Sequence, residues 1–202
     1  MNNLQLRRHL RQQRRQLSPA CQQQHARSVL RQVKRSNLLK RFKRFAIYLD
    51  ADGELQTGSL INHLLQHKKN VLLPALYPFR HNRLWFLPFH RQTVLKKNRF
   101  MIKEPTDIAN RFALSSIDVI FMPLVGFDEQ GNRLGMGGGF YDRTLAPCKN
   151  KGDNNMPLLI GLAHELQKVS TLKANSWDIA LDGVITESNF YCFTSRIKQF
   201  VC

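Results

Sequence analysis

Acidic residues are scarce in this chain: 14 Asp and Glu stand against 31 Lys and Arg, a formal charge of +17 over 202 residues. None of the acids falls in the first 44 positions, which hold 13 of the basic residues. The rest of the chain carries 18 basic and 14 acidic side chains. Most of the excess therefore belongs to an N-terminal segment. Composition leaves that segment open as a nucleic-acid footprint, a solvated helical face or a collector of anionic small molecules. Long apolar runs are missing too. None reaches the ~18 residues of a membrane span, and no apolar stretch follows the charged N-terminus to make a secretory signal. The four cysteines, Cys21, Cys148, Cys192 and Cys202, show no Cys-x-x-Cys spacing. That argues against a zinc site or a disulfide frame, and free thiols in a reducing cytoplasm are the expectation.

What the chain does have is glycine in one place. Gly135, Gly137, Gly138 and Gly139 fall within five positions, shortly after the apolar run Ile117 to Met122, which reads as a buried strand. Glycines let a backbone approach a ligand closely, and successive N–H groups in such a turn converge on an anion. A helix beginning at the loop's exit, Phe140 to Leu145, adds partial positive charge. Arg133 and Arg143 bracket the loop with guanidinium forks suited to phosphate or carboxylate. Asp142 is an oxygen ligand suited to magnesium. No lysine follows the glycines as Walker A requires, and Phe140 stands where the dinucleotide pattern needs glycine. The spacing alone gives an anion-cradling loop after a strand.

Residues 4–16 read as a helix on which Arg7, Arg11 and Arg15 share one face, with Leu6 and Leu10 on a neighbouring stripe. Ser18-Pro19 marks a cap and first-turn proline. The next helix buries Ala26, Val29, Leu30 and Val33. Phe45 to Leu49 reads as a strand, Asp50 to Gly53 as a turn, and Thr57 as the cap of a helix burying Leu60, Ile61, Leu64 and Leu65. Glu54 lies where open α/β sheets place ligand groups, while spacing alone favours a turn acid or a helix-start charge. Val71 to Leu76, broken at Pro74, and Leu84 to Phe89 read as strands paired across a turn at positions 80–83. A short strand is expected over Phe100 to Ile102, a weak helix over Asp107 to Leu114 and a surface loop over Pro147 to Pro157. Strands follow at Leu158 to Ala163 and Gly183 to Thr186, with His164, Glu165 and Gln167 as a possible ligand-facing rim and a peripheral basic tail. Alternating strands and helices give a layered α/β fold with a largely parallel sheet, of a size to form one domain over 1–202.

Several blocks in this order carry a likeness. They are the basic helix before Leu17-Ser18, the step Gly53-Glu54-Leu55-Gln56-Thr57, Lys103-Glu104-Pro105, and Met122 to Gly131 leading into Arg133 to Asp142. Trp177-Asp178-Ile179-Ala180-Leu181-Asp182 completes the set. Together the chain resembles the 5-formyltetrahydrofolate cyclo-ligase (methenyltetrahydrofolate synthetase) family. The resemblance implies a three-layer α/β/α sandwich and an enzyme, an ADP-forming ligase. It would use ATP and Mg²⁺ to cyclise 5-formyltetrahydrofolate to 5,10-methenyltetrahydrofolate. It implies ATP contacts at Asn3, Arg7, Arg133, Leu134, Gly135, Met136, Gly137, Gly138, Gly139, Phe140 and Tyr141, with Arg133 and Arg7 serving catalysis. Folate would meet Leu49, Glu54, Met136, Phe140 and Tyr141, and magnesium would sit on Asp142 and Asp178. A cytoplasmic monomer is implied, with no membrane or nucleic-acid partner. In two places the chain departs from relatives. Asn3 stands where a Lys often precedes the Arg by four residues, and Gly138 where a Lys is common.

Three other readings compete. The arginine-rich N-terminus suits a nucleic-acid-binding protein, although no RNP pattern, zinc spacing or stacking face supports it. A sugar-phosphate isomerase or CoA-transferase on a similar sandwich would need no ATP. A folate-binding relative without turnover is the third alternative.

Overall fold

The computed structural model describes residues 1–79, 82–149 and 156–201. Helix α1 (Asn3–Arg15) starts in a capping box. Asn2 accepts from the Gln5 backbone N–H at 2.9 Å, and the Asn2 N–H donates to the Gln5 side chain at 3.0 Å. Helix α2 (Pro19–Arg35) follows, with Ser18 as its cap and Pro19 in its first turn, as the sequence predicts. Ala26, Val29 and Val33 are buried along it. A short α3 (Leu38–Arg41) leads into β1 (Arg44–Ala46). Then come α4 (Gly58–Gln66), β2 (Asn70–Leu76), β3 (Leu84–Phe89), β4 (Leu95–Lys97) and β5 (Lys103–Pro105). The chain continues through β6 (Val119–Pro123), β7 (Gly126–Phe127), β8 (Arg133–Leu134) and α5 (Phe140–Lys149). It closes with β9 (Leu158–Leu162), β10 (Gly183–Ile185), β11 (Phe190–Cys192) and α6 (Ser195–Lys198).

Seven strands form the central sheet in the order β11-β10-β9-β6-β1-β2-β3. The inner five are parallel, and β3 and β11 close the edges antiparallel. The expected layered α/β fold with a largely parallel sheet is the one observed. Alternation along the strands sorts side chains to two faces. Phe45, Ile47, Val119 and Phe121 pack with Val29, Val33, Leu60, Leu64 and Ile197 under α2, α4 and α6. Ala46, Ile120, Met122 and Val184 pack with Leu145 of α5 and with Ile179 and Leu181 on the other face. Helix α1 belongs to neither layer. Its Leu10 joins Val125, Leu134 and Leu172 in a third cluster.

Pro74 does not break β2. The Asn70 N–H donates to the Lys43 carbonyl at 2.9 Å, and the Leu72 carbonyl accepts from Ile47 at 2.9 Å. By alternation position 74 also faces β1, which has already ended, so the missing N–H has nothing to bond there. The strand expected at Phe100 to Ile102 is a turn. Asn98 Oδ1 accepts the N–H groups of Phe100 and Ile102 at 2.9 and 3.2 Å, and Met101 sits at φ 61°. The pairing strand is β5, just beyond. The weak helix at Asp107 to Leu114 does not form. Asp107 Oδ1 takes the Ala109 N–H at 3.0 Å, and Phe112 bridges to Phe86 of β3. Pro147, assigned by sequence to a loop, lies inside α5, whose Leu145 and Cys148 are buried on one side. Positions 150–155 of that expected loop, and 80 and 81 of the β2–β3 turn, lie outside the described residues. The tail is not peripheral: β11 completes the sheet, and Ile197 is fully buried. No helix among the described residues is long and apolar enough to cross a membrane.

The strand order places the site. The chain leaves β1 for β2 on one side and later enters β6 on the other. The loops after β1 and β6 therefore diverge, leaving a crevice at the carboxyl ends of the strands, where open α/β sheets bind ligands.

Candidate active site

A cavity of about 1060 Å³ opens over this crevice. It is walled by α1, by the loop after β1, by the glycine segment and by the segment 172–180. The positions that the family resemblance assigns to ligands all line it: Asn3, Arg7, Leu49, Glu54, Arg133 to Tyr141, Asp142 and Asp178. The rim expected at His164, Glu165 and Gln167 does not. His164 and Gln167 are buried, and Gln167 Nε2 donates to the Leu124 and Val125 carbonyls at 2.7 and 3.0 Å. These residues brace the floor beneath the cavity.

The glycine segment leaves the β7–β8 hairpin, whose turn is built by the buried carboxylate of Asp128. Asp128 accepts from the Gln130, Asn132 and Leu172 N–H groups and the Asn132 amide at 2.9–3.0 Å. Beyond Gly135 the backbone turns left-handed at Gly137 (φ 97°) and Gly139 (φ 62°). A Cβ on Gly139 would come within 2.6 Å of Arg143 Nη1. Two guanidinium groups hold the loop. Arg7 Nε donates to the Gly135 carbonyl at 2.8 Å, and Arg143 Nη1 to the Gly138 carbonyl at 2.6 Å. The Arg143 N–H closes onto Gly139 at 3.0 Å. The N–H groups of Phe140, Tyr141 and Asp142 are thus left at the opening of α5 without intrahelical partners, the ordinary anion-binding condition of a helix start.

Arg133 turns toward the other wall. Its side chain is 6% exposed and donates to Asp142 Oδ1 at 2.6 Å and to the Ile179 carbonyl. The Ile179 N–H also reaches Asp142 Oδ1, at 3.2 Å. Asp178 Oδ2 accepts the backbone and amide N–H groups of Asn175 at 2.8 and 3.1 Å. One oxygen of each aspartate is therefore engaged. Among the described residues the other takes no hydrogen bond.

The third wall depends on residues that sequence reasoning missed. Asp52, at φ 53°, receives Arg11 Nε at 2.8 Å, Arg14 Nη2 at 3.0 Å and Arg15. Arg14 is fully buried, and it also donates to the carbonyls of Asp52 at 2.9 Å and Leu124 at 3.1 Å. Burial pushes the Asp52 carboxyl up, but the hydrogen bonds from Arg11, Arg15 and Arg14 outweigh it and hold the group below the usual carboxylate range. Thr57, expected to cap α4, makes no side-chain cap; its hydroxyl donates instead to the Tyr48 carbonyl at 2.8 Å. The signal available in the sequence was the Asp52-Gly53 pair, whose turn chemistry allows the left-handed backbone. Arg14 carried no signal of its own, because it lies on the same face as Arg7 and Arg11, seven and three residues on, and nothing in the spacing marks it as the buried one.

Glu54 sits against Arg14, 3.8 Å from Nη2, and accepts the Ala51 N–H at 3.1 Å. Burial drives its pKa from an ordinary 4.5 to about 7, with the Arg14 charge opposing. Burial, and then the Glu54 charge, also push the Tyr48 and Tyr141 phenols up, so both remain protonated donors. The raised Glu54 pKa binds a proton more tightly in the folded chain than in the unfolded one. Its contribution is complete below pH 4.5 and is lost as pH rises through about 7. Thermal melts from pH 5 to pH 8 should show the wild type losing stability across that window and Glu54→Gln losing less. Parallel curves would refute the buried-acid reading.

The comparisons decide the family. Residues 2–187 match the model of the 5-formyltetrahydrofolate cyclo-ligase family. This chain belongs to that family. The cyclo-ligase of Escherichia coli (strain K12) is 41% identical over 183 residues, covering 90% of this chain and 98% of the relative. That of Haemophilus influenzae is 41% identical over 163 residues, covering 80% and 81%. Among solved structures, the Aquifex aeolicus 5,10-methenyltetrahydrofolate synthetase superposes with a TM-score of 0.81 at 28% identity, covering 96% of this chain and 94% of that one. The resemblance read from the separated sequence blocks is thus borne out, and with it the assignment of the chain as an enzyme, a ligase.

Proposed function

We propose that this chain converts 5-formyltetrahydrofolate to 5,10-methenyltetrahydrofolate at the expense of ATP, working as a single domain. The observation that carries this reading is one cavity with two unlike walls. A glycine loop and helix start, backed by Arg7 and Arg133, suit a triphosphate. A buried carboxyl beside the protonated Tyr141 phenol suits the N–H and carbonyl edge of a pterin, the Tyr48 hydroxyl being engaged by the Leu55 carbonyl at 3.0 Å.

An N-formyl group is a poor electrophile because nitrogen donates into its carbonyl. Transfer of the γ-phosphoryl to the formyl oxygen forms an O–P bond, breaks the bond to ADP and leaves an activated carbon. N10 attacks that carbon. The C–O bond breaks, phosphate departs with the original formyl oxygen, and N10 loses its proton to give the methenyl bridge. The protein's task is alignment and charge neutralisation. Backbone N–H groups of 137–142 would bind phosphate oxygens, and Arg7 would fix the loop while adding positive charge. Leu49, Met136, Phe140 and Tyr141 would enclose the folate, and Glu54 would hold its pterin. Asn3 is placed to contribute a polar contact only, so Arg7 carries the charge that α1 brings.

Asp142 and Asp178 fit magnesium. Each offers a hard oxygen free of other bonds on the cavity wall, and magnesium typically takes one or two carboxylates plus substrate phosphates. The ion would neutralise the β- and γ-phosphates. Asp142→Asn keeps an oxygen for Arg133 and removes the charge. It should raise the magnesium concentration needed for half-maximal rate about tenfold. An unchanged magnesium curve would remove Asp142 from the set.

The whole reading is tested by absorbance growth in the methenyltetrahydrofolate band with purified protein, 5-formyltetrahydrofolate and magnesium. Growth that requires ATP is expected. A folded protein that gives none, or gives the same rate without ATP, would overturn it.

A further inference from the structure

Behind the cavity floor lies a cluster that the cyclo-ligase reading does not use. His25 comes from the middle of α2, His164 follows β9, and Glu187 follows β10. One ligand-type atom from each lies within 4.8 Å of the others. His25 Nδ1 stands 2.9 Å from His164 Nδ1 and 3.5 Å from Glu187 Oε1. His164 is fully buried, and the side chains of His25 and Glu187 are 15% and 17% exposed. Two imidazole nitrogens thus stand close together beside a carboxylate, at a place largely shielded from solvent.

Ordinary hydrogen bonding accounts for this arrangement poorly. Two facing Nδ1 atoms share one proton, and beyond a contact with the Gly53 backbone the buried His164 ring makes no well-formed hydrogen bond at Nε2. Two imidazoles and a carboxylate are, by contrast, a common donor set for a borderline divalent ion, with a fourth position left for water. The outer contacts are those such a site needs. Glu187 Oε2 accepts the Glu165 N–H at 2.9 Å, which fixes the carboxylate. Cys21 Sγ lies 3.2 Å from His25 Nε2, the ring nitrogen on the far side from the cluster, and sets its orientation. The three ligands come from three segments, so an ion here ties α2 to the ends of β9 and β10.

We propose that His25, His164 and Glu187 form a binding site for a borderline divalent metal ion of the zinc class, separate from the magnesium position in the cavity. The donor set separates the two: nitrogen-rich here, oxygen-only at Asp142 and Asp178. Occupancy would brace the Gln167 turn, three residues beyond His164, which holds the Leu124 and Val125 carbonyls under the active site.

The test is calorimetric titration of the tag-free full chain with zinc in excess magnesium, with imidazole nitrogen NMR on the same sample. One equivalent of zinc should bind, with the Nδ1 resonances of two histidines shifting together. His25→Ala and Glu187→Gln should each weaken binding by at least about 100-fold, since removing a ligand exceeds the loss from an outer partner. Cys21→Ser should keep it, as should His63→Ala, which removes the His63–His67 pair at the end of α4. The absence of binding in the wild type would overturn the site. So would unchanged affinity in both ligand variants, or loss in Cys21→Ser or His63→Ala alone. Should a ligand variant fail to fold, the wild-type NMR decides: zinc that shifts no pair of Nδ1 signals refutes the proposal.

Discussion

Arg133→Ala is expected to lower kcat/KM by roughly 10²–10³, the usual effect of removing one preorganised group from a charge-stabilising site. The geometry gives this arginine two tasks at once. Its guanidinium is nearly inaccessible to water, so its charge acts in a low dielectric on any anion in the cavity. It also joins the opening of α5 to the segment before β10, holding Asp142 Oδ1 at 2.6 Å and the Ile179 carbonyl. Truncation removes the charge and releases both groups, so stability should fall as well, by about 2–3 kcal/mol, as for a charge-assisted hydrogen bond left unmade. Arg133→Lys separates the tasks. Lysine restores a positive charge but not the fork that reaches two acceptors at fixed angles. If charge dominates, the lysine variant recovers most of the rate. If the tie dominates, it recovers stability poorly and rate hardly at all. Steady-state rates and urea midpoints for the two variants distinguish these outcomes. An alanine variant within threefold of wild type would remove Arg133 from the chemistry altogether.

The reason Arg133 was legible in the sequence, while Arg14 was not, lies in which contacts are local. The glycine loop announces itself because its requirement is in the backbone: Gly137 and Gly139 adopt φ values that other residues rarely take. The flanking Arg133 and Asp142 are only nine positions apart, so their pairing follows once the loop reverses the chain. The stripes of α2 and α4 and the buried runs of β6 and β9 were likewise readable, since periodicity records burial on one face or two. What failed were segments whose conformation is set by a distant partner or by a competing side chain. Asn98 and Asp107 bond nearby N–H groups and so replace a strand and a helix with turns. Leu145 and Cys148 hold a helix across Pro147. The tail looked peripheral because its few apolar residues at α6 and its exit, Ile197, Phe200 and Val201, reach the core from among basic and polar neighbours. Asp52, Arg14 and Glu54 meet through packing of α1 onto a loop some 38 positions away, which no local pattern encodes.

Arg14→Met is expected to cost about 3–5 kcal/mol of stability, far more than any other arginine of α1. Methionine fills much of the space, so the loss is not chiefly a cavity. It comes from deserting two carbonyls and a carboxylate. Arg14 alone donates at 2.9 Å to the Asp52 carbonyl, it shares the Leu124 carbonyl with Gln167, and it shares the Asp52 carboxylate with Arg11 and Arg15. Arg15 is half exposed at 54%, and its own removal should cost no more than about 1 kcal/mol, because water replaces the contact. The same substitution bears on chemistry. The Arg14 charge opposes the burial that raises Glu54, so without it the Glu54 carboxyl should stay protonated to a pH above about 7. The pH dependence of kcat/KM should then shift to higher pH in Arg14→Met and vanish near neutrality in Glu54→Gln. Arg14→Lys should behave nearer to methionine than to arginine in stability, since one ammonium cannot serve acceptors on opposite sides. In the pH profile it should stay near wild type, because the charge beside Glu54 remains. Urea denaturation and pH–rate profiles on the three variants separate a packing role from an electrostatic one. A pH profile in Arg14→Met that overlays the wild type would show that Arg14 holds the loop without tuning its acid.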